Sequence, residues 1–201
     1  MNFQVSGKLW NRSLVMSDVE TGSLWSHLLG KAMDGELKGK TLDTVPSVIT
    51  SWEDWKSIHP ETSVMIWPQD KGKQYTTSFF QQKNRNTFGI GYVDGETAKC
   101  YSCRKLTLNP LVNDTVANNP ILILFDQPTG AAWCYDRTVD DKVLVFESKD
   151  DQYFDTETHS SWDLRTGVAT DGPMKGTQLN PRVVIPTYES AWRMFHPETE
   201  T

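Results

Sequence analysis

This sequence has little cysteine, no long apolar run and no surplus of positive charge, and each shortage excludes something. Three cysteines, Cys100, Cys103 and Cys134, cannot all pair within one chain, which argues against a disulfide scaffold. The longest apolar run, Ile121 to Phe125, falls far short of the ~18 residues a membrane helix needs, so the protein is not expected to span a membrane. Residues Met1 to Val5 show no basic start leading into an apolar stretch, so no secretory signal is visible. The chain is expected to be soluble, either cytoplasmic or beginning after a removed leader. Net charge is −6, a sign that repels phosphate backbones and makes nucleic acid an unexpected partner. Lys71, Lys73, Lys83 and Arg85 form the only loosely basic stretch, which reads as a solvated loop.

Familiar chemical signatures are also missing. There is no P-loop, no Gly-x-Ser-x-Gly elbow and no His-Glu-x-x-His. Gly89-Ile90-Gly91 falls inside a strand pattern and lacks the third glycine of a dinucleotide fingerprint. No cofactor is expected from these patterns.

What is present is tryptophan and repetition. Eight tryptophans in 201 residues point first to a core and second to sticky concave surfaces. Residues 20–62 laid over residues 157–199, an offset of 137 without a gap, match at 17 of 43 positions. The matches include Thr21/Thr158, Ser23/Ser160, Trp25/Trp162, Gly30/Gly167, Gly35/Gly172, Gly39/Gly176 and Leu42/Leu179. They close on Thr50/Thr187, Trp55/Trp192 and the runs His59–Thr62 and His196–Thr199. The expected architecture is mostly β with short helices (α+β). Two diverged copies, residues 1–66 and 106–201, would pack as pseudo-twofold halves of one compact domain, joined by a connecting hairpin region, residues 67–105.

Within each copy Asp-Gly marks a tight turn, and a short helix should precede His-Pro, because a residue before proline is pushed out of the α region. Thr50 with Glu53 fits a capping box, with Trp52, Trp55 and Ile58 on one buried face. Tyr188, Ala191, Trp192 and Phe195 form the matching stripe. Phe3–Trp10 and Ser13–Ser17 read as a hairpin, as do Thr87–Val93 and Thr97–Ser102 around Asp94-Gly95. Pro120–Asp126, Ala131–Asp136 and Lys142–Glu147 read as a three-stranded meander. Residues 67–86 are polar and irregular.

With the copies aligned, a resemblance emerges. The stretches Leu14–Asp18, Thr21–Ser26, Gly35-x-Leu37-x-Gly39 and Trp55…His59-Pro60-x-Thr62, with Leu111–Val116 and Tyr135-Asp136-Arg137, resemble the prokaryotic family known as domain of unknown function 3179. The resemblance covers most of the chain and implies no activity. Family members carry a Cys-Pro segment before the Asp-Arg turn; here the matching stretch is Phe125–Gly130, with Asp126 where a cysteine is expected. The first copy begins downstream of where its own version of that strand would lie.

Candidate ligand-binding residues are Asp126, Thr129, Cys134, His27 and Trp25. Asp126 would ordinarily accept the backbone N–H groups of its own turn. Cys100 and Cys103 have the spacing of a redox or half-zinc motif, but no second pair completes a four-ligand set. If both lie on a strand, they point to opposite faces unless a turn intervenes. Cys134, between Trp133 and Tyr135, reads as core. His59 and His196 sit at helix C-termini, where the helix dipole favours imidazolium. No pair of carboxylates can be placed across a cleft from sequence alone. The leading expectation is a non-catalytic binding or accessory module taking a small molecule or a protein partner. The alternative is a thiol- or metal-dependent redox enzyme using the Cys and His residues.

Overall fold

A computed structural model describes residues 1–65 and 87–200. Strands β1 (Phe3–Trp10), β2 (Ser13–Asp18), β3 (Leu24–Ser26) and β4 (Lys31–Asp34) form an antiparallel sheet in chain order, followed by helix α1 (Trp52–Ile58). Next come β5 (Phe88–Asp94), β6 (Thr97–Ser102), helix α2 (Cys103–Leu108), β7 (Leu111–Val116), β8 (Asn119–Phe125) and β9 (Ala132–Asp136). A small ribbon, β10 (Thr138–Val139) with β11 (Lys142–Val143), leads into a second four-stranded sheet. That sheet is β12 (Phe146–Lys149), β13 (Gln152–Asp155), β14 (Ser161–Asp163) and β15 (Val168–Asp171). The described chain closes with β16 (Ile185–Tyr188), which pairs with β5, and helix α3 (Glu189–Phe195). No described helix is long and apolar enough to cross a membrane.

The apolar run Ile121–Phe125 is explained by position. It forms β8, the middle strand of the β7-β8-β9 sheet, and that sheet is buried on both faces. Alternate residues therefore serve different cores. Ile121, Ile123 and Phe125 join Ala132, Cys134, Phe88 and Ile90 on one side, against the β16-β5-β6 sheet. Leu122 and Leu124 join Trp133, Tyr135, Phe146 and Trp162 on the other, against β12–β15. A strand between two layers shows no polar alternation, because neither of its faces meets water.

Buried Arg137 fastens the layers. Its guanidinium donates to the carbonyls of Ile121 at 2.9 Å, Leu144 at 2.6 Å and Asp114 at 3.0 Å. Asn113 joins β7 to β12 as a strand would, with its amide donating to Phe146 O and accepting from Phe146 N, each at 2.8 Å. On the outer face of β5, Gly91 leaves room for Trp192 of α3, whose ring would overlap any Cβ placed there. Trp192, Ala98 and Cys100 pack with Leu28 of the first half, and Trp10 meets Phe195 edge-on at 4.8 Å.

The duplication is visible bond by bond. Gly39 N donates to Ala32 O and Gly176 N to Ala169 O, both at 2.9 Å. Gly35 and Gly172 have φ of 90° and 87°, each pressed against a serine, Ser23 or Ser160. His59 N donates to Trp55 O and His196 N to Trp192 O, both at 2.8 Å, and each tryptophan indole N–H donates to the threonine seven residues on.

Several expectations need correction. The meander is completed by Leu111–Val116, while Lys142–Val143 pairs with Thr138–Val139 and Phe146 begins the next sheet. The turn Ala117-Asn118, with φ of 48° and 67°, makes that hairpin without glycine. The α1 cap is Ser51, not Thr50: Ser51 Oγ accepts from Asp54 N at 3.1 Å and also bonds the Asp54 carboxylate. Helix α1 buries none of its residues, and Trp52 is 48% exposed, so the expected buried stripe is absent there. In α3, Ala191 and Trp192 are buried as expected, but Tyr188 is exposed. Residues 67–86, with the loosely basic stretch, lie outside the described residues.

Candidate functional site

Three turns share one design. Asp18, Asp126 and Asp155 each accept, through the carboxylate, the backbone N–H and hydroxyl of the threonine three residues on: Thr21, Thr129 and Thr158. Each aspartate N–H also donates to the carbonyl five residues on, and its own carbonyl accepts from the residue four on. That fourth residue is at positive φ in all three: Gly22 at 70°, Gly130 at 76° and His159 at 57°. The sequence signal Asp-x-x-Thr is present at all three but also at Asp94 and Asp163, so it does not mark this turn by itself, and the repeat alignment, starting two residues after Asp18, missed it.

Two of the three carboxylates go further. Asp18 and Asp155 are wholly buried and accept the indole N–H of Trp25 and Trp162, each at 2.9 Å. Burial opposes the charge on Asp18, but the bonds from Trp25, Thr21 and Ser23 outweigh it and hold its pKa at about 2. Asp155 is lowered against burial in the same way, by Trp162, Thr158 and Ser160. Trp25, set edge-on to Phe3 at 5.6 Å, is therefore a core residue tied to a buried acid. Among the described residues Asp126 has no tryptophan partner; it and Thr129 stabilise their own turn.

The other candidates are scattered. His27 is exposed at the β3–β4 turn. Cys100 and Cys103 are both buried, and the strand gives way to α2 at Cys103. Burial pushes the Cys100 thiol up to about 12. Among the described residues no group of three or more His, Cys, Asp or Glu is placed to hold a metal. His196 runs against the helix-dipole expectation: burial lowers its pKa, its ring lies on Trp192 at 4.3 Å, and its Nε2 has no hydrogen-bond partner.

Of the five candidate ligand-binding residues, Cys134 alone lines a cleft where the two halves meet. This cleft, of about 460 Å³, runs along the outer edge of β9. Trp55 and His59 of α1 and the segment Pro46–Val48 come from the first half; Trp133, Tyr135, Arg165, Gln178 and Arg182 come from the rest. Trp55 and His59 lie ring to ring at 4.1 Å, forming one aromatic wall. Trp133 and Tyr135 form another, with the Tyr135 hydroxyl donating to Arg165 O at 3.4 Å. Arg165 reaches Asp54 of α1 at 3.6 Å, an ion pair between halves, and Arg182 holds Asp136 at 2.6 Å. Both guanidiniums are already paired, so the described lining offers flat apolar walls and oriented polar edges. Cys134 is 3% exposed and burial pushes its thiol up to about 12, which suppresses the reactive thiolate. The cleft was not legible in sequence because its residues come from segments up to 138 positions apart, Pro46 to Val184.

Sheets, paired turns and duplicated helices define a mostly β protein built from two diverged copies. The residues that carried the resemblance occupy architectural places: Asp18, Trp25, Gly35, Asn113 and Arg137 tie strands and turns together. The chain belongs to the family described as Protein of unknown function (DUF3179), whose model matches residues 1–94 and again 82–201. Comparison with curated proteins and with solved structures returned no match.

Proposed function

We propose that this protein is a non-catalytic binding module whose ligand is a flat organic molecule held in the cleft between the halves. The observation that carries this reading is the convergence of Trp55 and His59 from one half with Trp133 and Tyr135 from the other around about 460 Å³. That volume lies within the range of small-molecule sites, roughly 300–1,000 Å³, and the lining matches their usual chemistry of aromatic walls with a few polar groups. Cys134 contributes packing rather than attack, because its buried thiol resists ionisation. The arginines fix the walls through Asp54 and Asp136 and present their remaining N–H groups at the rim.

A screen of planar aromatic compounds by saturation-transfer NMR tests this. Ser47→Trp fills the mouth of the cleft from an exposed position and should abolish binding of the hits while leaving the melting temperature within a few degrees. Hits that bind Ser47→Trp as well as the parent protein would place the ligand elsewhere and end the proposal.

A further inference from the structure

Beside the cleft and sharing Val48 and Trp55 with it lies a second groove of about 470 Å³, lined by residues 48–52, Trp55 and 62–64. At the repeat offset these positions correspond to residues 185–189, Trp192 and 199–201 of the second half. There the same place is full. Strand β16 pairs with β5, setting Thr187 opposite Gly89, and Trp192 lies over Gly91. On the far side, Thr199 Oγ1 and Glu200 N donate to Ala98 O at 3.1 and 3.0 Å, and Cys100 N donates to Glu200 O at 3.0 Å. The β5–β6 hairpin is thus gripped by a strand, a tryptophan and a C-terminal strap.

Among the described residues the first half repeats the grip with no hairpin in it. Among the described residues no strand pairs with 48–51. Ile49, Trp52 and Val64 are 49%, 48% and 56% exposed, and the Thr50 hydroxyl is buried without a hydrogen-bond partner. We infer that this groove docks a β-hairpin from a different polypeptide, with glycine on the strand beneath Trp55 and a small residue such as alanine on the strand beside residues 62–64. Strand addition supplies main-chain hydrogen bonds to the unpaired edge, and the tryptophan selects for glycine as Trp192 does at Gly91. The occupant is not a second copy of this chain, because that copy's own matching hairpin is already held by its β16 and α3.

The probe is a fluorescent synthetic peptide with the sequence of residues 87–104, kept reduced and titrated into the full chain by anisotropy. Saturable 1:1 binding is expected, weakened at least tenfold when the peptide carries Gly91→Val. The same loss is expected when the protein carries Ile49→Asp with Val64→Asp, two exposed changes whose melting curve should match the parent. Ser47→Trp, which blocks the cleft, should leave peptide binding unchanged, so this proposal and the small-molecule reading fail separately. Absence of saturable binding, or equal binding by the glycine and valine peptides, overturns the inference. So does a dimer in sedimentation velocity that the Ile49→Asp, Val64→Asp variant dissolves, since that would make a second copy the occupant.

Discussion

The two copies fold alike and are buried unlike. In the second, Trp192 is 0% exposed, α3 buries Ala191 beside it, and the preceding segment is strand β16. In the first, Trp55 is only part-buried, α1 buries nothing, and residues 48–51 form no strand. Yet the helix lengths, the histidine caps and the tryptophan-to-threonine hydrogen bonds correspond one to one. The local bonds belong to the repeated sequence; the burial belongs to what lies against it. In the second half the layer against it is the β5–β6 hairpin.

The largest expected effect follows from that contrast. Trp192→Ala empties a fully enclosed aromatic site and should cost about 3–5 kcal/mol. Trp55→Ala, at the equivalent position, should cost less than about 1 kcal/mol, in line with substitutions away from a closed core. From sequence the two tryptophans look interchangeable, and a core role for both would be the natural expectation. Urea melts of the two variants decide; equal losses would mean that Trp55 is enclosed in solution and that the groove beside it is not open.

Much of the rest was legible where chemistry is local. Asp94-Gly95 announced its hairpin, and His-Pro ended both helices where expected. The hairpins turning on Ala117-Asn118 and Asp150-Asp151 were hidden because left-handed turns without glycine carry a weaker signal. Thr50 and Ser51 are both able caps, and sequence could not choose between neighbours. The strand order around β8 was misread because a run buried on both faces shows no alternation from which to choose its partners.

A second way to sharpen the comparison is acid. The turn aspartates, with Trp25 and Trp162 bonded to them, are a deep feature both copies keep, so here the halves should behave alike. Asp18 falls from an unperturbed 3.8 to about 2, and Asp155 is lowered too. A carboxyl depressed in the folded state binds fewer protons there than in the unfolded chain. Its contribution is complete above the unfolded value and is lost as pH falls through the window from about 4 to about 2. The melting temperature should therefore drop steeply across that window. Asp18→Asn and Asp155→Asn should each lower it at pH 6 and flatten the drop, whereas Asp126→Asn should leave it within a few degrees at pH 6, because among the described residues Asp126 bonds only its own turn. A melting temperature unchanged between pH 5 and pH 2.5 would show that these acids carry no folding energy.

The smallest effect concerns a left-handed position at which the two copies disagree inside the shared turn. The residue after the threonine is Gly22 in the first copy and His159 in the second, and both are left-handed, at φ of 70° and 57°. A side chain there is strained by its own backbone, by roughly 1 kcal/mol, with histidine among the more tolerant residues. Both positions are exposed, and a Cβ added at Gly22 meets no atom within 4 Å, so backbone strain acts without a clash. Gly22→His should therefore destabilise by about 1 kcal/mol. His159→Gly should gain somewhat less, because glycine also frees the unfolded chain. Chemical denaturation of both variants and of the double exchange reads this directly, and the double exchange should return near the parent value. Shifts of the same sign in the two single variants would mean that His159 makes a contact that glycine cannot replace, and that the second copy holds its histidine for more than a turn.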